Sequence, residues 1–124
     1  MKHLLLVFLG GGLGSVLRYG VGKWAGGSWA PFPLGTFTVN ILGSLLIGLI
    51  MGLALRNSSV SQSSVLFLVT GLCGGFTTYS AFAYENYNLL KNGDLLTFSL
   101  YTLGSLVLGF AAVFLGIWLG RLLS

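Results

Sequence analysis

Charge is what this chain has least of. Lys, Arg, Asp and Glu together make up 6% of its 124 residues, against about 25% in an ordinary globular domain. A surface so poor in charge would not stay in water, which excludes a soluble domain and leaves lipid or apolar protein as the surroundings. Cysteine and histidine are each present once, as Cys73 and His3. One cysteine excludes an internal disulfide and a thiolate metal cluster. With no nucleophile–base pair and no metal cluster, an enzyme is not expected. Acidic residues number two, Glu85 and Asp94, against Lys2, Arg18, Lys23, Arg56, Lys91 and Arg121, for a net charge of +4. A basic balance can signal nucleic acid, but there the basic residues cluster. Here they stand singly near the ends of apolar runs, where headgroup anchors belong.

Hydrophobic residues are abundant, at 55% of the chain, with a mean hydropathy of +0.93. They fall into four runs, about 4–21, 34–55, 65–87 and 96–123, each near the roughly 20 residues that cross a bilayer core of about 30 Å. The expected fold is therefore an all-α membrane protein of one four-span domain over residues 1–124. The links between runs are short. They hold the turn-forming residues Gly26-Gly27-Ser28, Pro31 and Pro33, Asn57-Ser58-Ser59 and Asn92-Gly93-Asp94. Pro31 and Pro33 suit a helix start better than an interior.

Two readings of the first run compete with a retained span. Lys2 followed by Leu4–Leu9 could open a signal peptide, but the run continues to Leu17 and Arg18 without a small-residue cleavage pattern. Gly10-Gly11-Gly12-Leu13-Gly14-Ser15 invites a dinucleotide reading. Its third fingerprint glycine would fall at Leu17, and neither a preceding strand nor a downstream acid is present. Small residues four apart let membrane helices pack closely, and they recur as Gly10/Gly14, Gly11/Ser15, Gly48/Gly52, Gly71/Gly75 and Gly116/Gly120. Close-packed seams are expected on all four spans.

The third run holds an unusual stretch, Gly71-Leu72-Cys73-Gly74-Gly75-Phe76-Thr77-Thr78-Tyr79-Ser80-Ala81-Phe82. Glycine costs about 1 kcal/mol against alanine in a helix interior, and threonine also ranks low. An interrupted helix is expected here. At membrane depth its freed backbone needs protein, water or an ion as partner.

In the second run Thr36, Asn40 and Ser44 lie four apart, on one helix face. Two roles fit Asn40: glue between helices, or contact with a ligand. In the fourth run Ser99, Thr102 and Ser105 form a stripe, with Tyr101 four before Ser105. Bonding of these hydroxyls to their own helix backbone is the ordinary expectation. Glu85 is read as close enough to the interface to be wet, with a tie to Arg18 as the other option. Arg18 is either an anchor or the floor of an aqueous vestibule that attracts anions.

Lys and Arg near span ends set orientation. Four spans put both termini on one side, with Lys2, Arg56 and Arg121; Arg18, Lys23 and Lys91 lie on the other. The balance gives no orientation signal and predicts dual topology. Two opposed copies would then pair about an axis in the membrane plane. Such a pair also encloses a path that four helices alone cannot.

The first, second and fourth runs contain no acid, which tells against a proton-coupled exporter of organic cations. A non-transporting scaffold is a third class. What lies on the path is Asn40, hydroxyls and the rings of Phe76, Tyr79 and Phe82. Ring edges and neutral donors suit a small anion; exposed carbonyls at a broken helix suit a small cation such as sodium.

The 71–82 stretch with Glu85 after it, Gly35-Thr36-Phe37-Thr38-Val39-Asn40-Ile41-Leu42-Gly43-Ser44 and Gly14-Ser15-Val16-Leu17-Arg18-Tyr19 together resemble the Fluc (CrcB-type) fluoride channels over essentially the whole chain. The resemblance implies a multi-pass protein of the inner (plasma) membrane that exports fluoride passively as an antiparallel homodimer. It implies a fluoride pathway of Asn40, Phe82, Tyr79, Thr36, Tyr101 and Ser105, with Arg18 at the vestibule. It also implies a structural, untransported Na+ at the dimer centre, held by the carbonyls of Gly74 and Thr77. The family's first ring is phenylalanine where this chain has Tyr79, and Gly109 stands where a further hydroxyl is expected.

Overall fold

The computed structural model describes residues 1–25, 31–56 and 60–123, the Arg56 side chain excepted. The turn readings at Gly26-Gly27-Ser28 and Asn57-Ser58-Ser59 lie outside the described residues. Helices α1 (Lys2–Ala25), α2 (Leu34–Arg56) and α6 (Leu95–Leu123) are continuous. The third span, Gln62–Lys91, is composite. It runs through α3 (Gln62–Val65), a π-helical segment (Leu66–Cys73), α4 (Gly74–Phe76) and, after a gap at Thr77 and Thr78, α5 (Tyr79–Lys91). Four units are long and apolar enough to cross a membrane, and the described residues include no strand. The chain is an all-α membrane protein.

Local chemistry sets the ends of these elements. The Pro33 carbonyl accepts the Phe37 N–H at 3.1 Å. Proline, which has no N–H, thus sits where the starting helix needs none. At the far end of α5, Gly93 has φ +75°, the left-handed region that glycine reaches without a Cβ clash. Its N–H donates to Leu90 O at 3.1 Å, and the next N–H, that of Asp94, donates to Leu89 O at 2.9 Å. This paired closure satisfies carbonyls the helix would leave open. Asp94 then caps α6, its Oδ1 accepting the Thr97 N–H at 3.1 Å.

Two seams hold the spans together. α1 lies against the π-helical segment and α4, while α2 lies against α6. Along the first seam a Cβ on Gly10 would overlap Phe67 O, one on Gly14 would overlap Leu72 O, and one on Gly75 would overlap Gly11 O. Along the second, Gly48 and Gly52 meet Val113 O and Ile117 O, and Gly116 and Gly120 meet Leu45 O and Leu49 O. Backbone therefore touches backbone, as expected from the four-residue spacing. Little else is buried. Val39 and Tyr101 are the largest fully enclosed side chains, while Leu4, Phe8, Trp24, Phe114 and Trp118 point outward. The apolar surface is thus on the outside, as lipid requires.

Candidate functional site

The interruption falls at two residues. Thr77 (φ −89°, ψ 161°) and Thr78 (φ −150°, ψ 124°) are extended. Asn40, on α2, fills the gap with both ends of its amide. Its Nδ2 donates to Thr78 O at 3.1 Å, and its Oδ1 accepts the Thr78 N–H at 2.8 Å. A carboxamide has the donor–acceptor layout of a peptide group, so it can stand in for a neighbouring strand. Thr78 also caps α5, its Oγ1 accepting the Ala81 N–H at 3.3 Å. Thr77 turns its Oγ1 back to Cys73 O at 3.0 Å. Gly43 makes room for the Thr77 methyl group, which a Cβ there would overlap.

These bonds redirect donors from the third span. In an unbroken helix the Thr78 N–H would meet Gly74 O and the Ala81 N–H would meet Thr77 O. Both N–H groups are spent elsewhere. The carbonyl of Gly75 accepts Arg18 Nε at 3.0 Å instead. The carbonyls of Gly74 and Thr77 therefore lack their helical donors. Oxygen is the donor type a hard cation takes, so these two groups fit the sodium ligand set. One copy supplies two such oxygens, too few to enclose an ion.

A cleft of about 410 Å³ opens beside the break. Asn40, Gly74, Thr77, Tyr79, Phe82 and Ser105, all expected at the site, line it. The Tyr79 and Phe82 rings are tilted at 43° with centroids 6.1 Å apart. Ser44 also borders the cleft, but its hydroxyl is bound to Asn40 O at 2.7 Å. Ser105 differs: its Oγ is buried and has no hydrogen-bond partner among the described residues. Thr102 does not turn to its own backbone as expected, since its Oγ1 donates to Asn86 Oδ1 at 3.1 Å.

The remaining expected residues lie elsewhere. Arg18 and Thr36 border a second cleft, of about 260 Å³, which shares the lining residue Thr78 with the first. Tyr101 is fully buried and lines neither cleft. Its ring packs on Phe82 at 5.1 Å, edge-on to Phe32 at 5.5 Å. Its hydroxyl donates to Glu85 Oε1 at 2.8 Å, and Thr36 Oγ1 donates to Glu85 Oε2 at 2.8 Å. Glu85 is half-buried and held by these two hydroxyls, and no tie to Arg18 is found among the described residues. It joins α2, α5 and α6 by two charge-assisted hydrogen bonds. Neither Glu85 nor Thr78 is among the pathway residues that the sequence singles out. An acid inside an apolar run is the signal for the first, but its place near the end of that run points to the interface.

Residues 5–117 match the family described as "CrcB-like protein, Camphor Resistance (CrcB)". A relative from Chlorobium chlorochromatii is 54% identical over 115 residues, covering 93% of this chain and 89% of its own. One from Gloeothece citriformis is 54% identical over 123 residues, covering 96% and 97%. One from Phocaeicola vulgatus is 50% identical over 123 residues, covering 98% and 100%. Each of the three carries the name "Fluoride-specific ion channel FluC".

Proposed function

This chain belongs to the CrcB-like protein family, and on that premise we propose that it is a fluoride channel. It passes the ion down its gradient out of the cell and so lowers the cytoplasmic concentration. The relatives' names support the ion, and one structural observation carries the reading: the Ser105 hydroxyl, without a partner among the described residues, in a cleft walled by Tyr79 and Phe82. Fluoride holds its water tightly, so a site must return short hydrogen bonds. Neutral donors and ring edges do so without a fixed cation that would trap the ion.

The reading includes a second copy in antiparallel orientation in the inner membrane. Tyr79 lines the cleft and is yet 80% exposed, as a residue would be whose other neighbour is on a partner. The balanced distribution of Lys and Arg supports opposed insertion. A partner related by a two-fold axis would bring its own Gly74 and Thr77 carbonyls to the same axis. The doubled set of oxygens suits a structural Na+, whose charge would stabilise four carbonyls left without N–H donors.

Purified protein in liposomes loaded with fluoride tests this. A fluoride electrode should record efflux, and a chloride electrode under the same gradient should not. Absence of fluoride efflux, or chloride efflux of equal size, overturns the reading.

A further inference from the structure

The second cleft carries two positive charges without a carboxylate partner. Arg18 and Lys23 both line it, and no ion pair joins either to an acid among the described residues. The two acids of the chain are occupied: Glu85 takes hydrogen bonds from Thr36 and Tyr101, and Asp94 caps α6. Neither cation is loose. Arg18 is fixed through Nε to Gly75 O, which leaves its terminal nitrogens for other acceptors. Lys23 Nζ lies 5.8 Å from the centroid of the Tyr19 ring, four residues back on the same helix face. A ring face holds an ammonium without cancelling its charge. Thr36 and Thr78 border the same space, and Thr78 also borders the larger cleft with Phe82 and Ser105.

We infer that Lys23 is, together with Arg18, a determinant of anion capture at this mouth. Its charge raises the local concentration of small anions beside Thr36 and Thr78, the second of which also lines the larger cleft. A cleft lined by one sign of charge with low-dielectric walls focuses its field in this way. The inference rests on the fluoride reading and assigns to this mouth a residue that the family resemblance did not single out. Lys23 acts by charge and through space, so its effect depends on screening. A packing role for the Lys23 stem on Tyr19 would not.

The test is fluoride efflux from liposomes at a fixed low fluoride gradient, with ionic strength set by sodium gluconate. Lys23→Gln should conduct about two- to fourfold less than wild type at about 10 mM ionic strength, where the Debye length is about 30 Å. The deficit should shrink below about 1.3-fold at about 1 M, where that length is about 3 Å. Lys23→Glu should lose more than Lys23→Gln at low salt, and Lys23→Arg should match wild type. Lys91→Gln, a charge removed outside both clefts, should leave flux unchanged at either ionic strength. A Lys23→Gln deficit that is equal at both ionic strengths, or no deficit at low salt, overturns the inference while the wild-type flux stands. Absence of flux from the wild type removes the fluoride reading and this inference with it.

Discussion

Asn40 and Thr78 are joined by a reciprocal pair of hydrogen bonds, Nδ2 to Thr78 O at 3.1 Å and Thr78 N–H to Oδ1 at 2.8 Å. Of the two roles read for Asn40, glue between spans is the one these bonds fill. The amide holds the third span open at its interruption, and its Nδ2 keeps a second hydrogen beside the cleft. Asn40→Asp keeps the acceptor and loses the donor. It leaves Thr78 O short of a partner, at a cost of about 1–3 kcal/mol, and adds negative charge on the proposed anion path. Fluoride efflux should fall more than about tenfold. Efflux near that of wild type would show that neither the clasp nor the charge matters to passage.

The seam glycines give a stability prediction with its own control. A methyl group at Gly14 would overlap Leu72 O and lie 2.8 Å from Phe76 N. Both obstacles are backbone, so the helices must separate. Gly14→Ala should cost about 1–3 kcal/mol, in the range of overpacked cores. A Cβ on Gly12 meets nothing within 4 Å, and Gly12→Ala should be neutral or mildly stabilising. Thermal unfolding in detergent, followed by circular dichroism, separates the two. Equal midpoints for both variants would refute the seam.

Glu85 offers a coupling measurement. Its two oxygens each accept one hydroxyl, from Thr36 and from Tyr101. Glu85→Gln puts an NH2 group where an acceptor was, so one hydroxyl faces a donor and is left unsatisfied. The expected loss is about 1–3 kcal/mol. Adding Tyr101→Phe or Thr36→Val should recover part of it, because the frustrated hydroxyl is gone. A double-mutant cycle should return a coupling of about 0.5–3 kcal/mol. Strict additivity would mean that the carboxylate is bound to water and not to these hydroxyls.

Legibility in the sequence followed the distance over which each feature is encoded. The four spans are written in local hydropathy, and the seams in a four-residue spacing. The interruption was legible as a stretch, 71–82, but not as a residue. Gly71, Gly74 and Gly75 are the weakest helix formers there, yet they stay helical. Gly71 and Gly75 are pressed against the backbone of α1, and close packing outweighs propensity. The helix yields at Thr77 and Thr78 because Asn40, thirty-eight positions earlier, supplies replacement bonds. The partners of Glu85 are hidden from the sequence for the same reason, since its donors come from α2 and α6. The π-helical turns over Leu66–Cys73 have no sequence pattern that would have announced them.

The aromatic pair can be split by chemistry. Phe82 packs against both Tyr79 and Tyr101, while the Tyr79 hydroxyl has no partner among the described residues. Phe82→Ile removes a ring edge but keeps an apolar side chain, and should cut fluoride efflux at least about tenfold. The proposed dimer should survive on size exclusion; its loss in the variant alone would mark Phe82 as a packing residue. Tyr79→Phe keeps the edge and deletes only the hydroxyl, so efflux should stay within about twofold of wild type. A large loss in Tyr79→Phe would place the hydroxyl itself on the path.

Ser105 sets function against stability most directly. Its Oγ is buried and meets no partner among the described residues, and Ser105 borders the larger cleft. A hydroxyl in that position costs desolvation and returns nothing to the fold, so Ser105→Ala should leave the unfolding midpoint unchanged or raise stability by about 0.5–1 kcal/mol. The same substitution deletes the neutral donor that a dehydrated anion would meet beside Phe82, so efflux should drop at least about fivefold, or about 1 kcal/mol of barrier. A packing serine would show the reverse, a loss of stability with conduction intact. Measuring both properties on one preparation therefore decides whether the unmet hydrogen bond is kept for the passing ion.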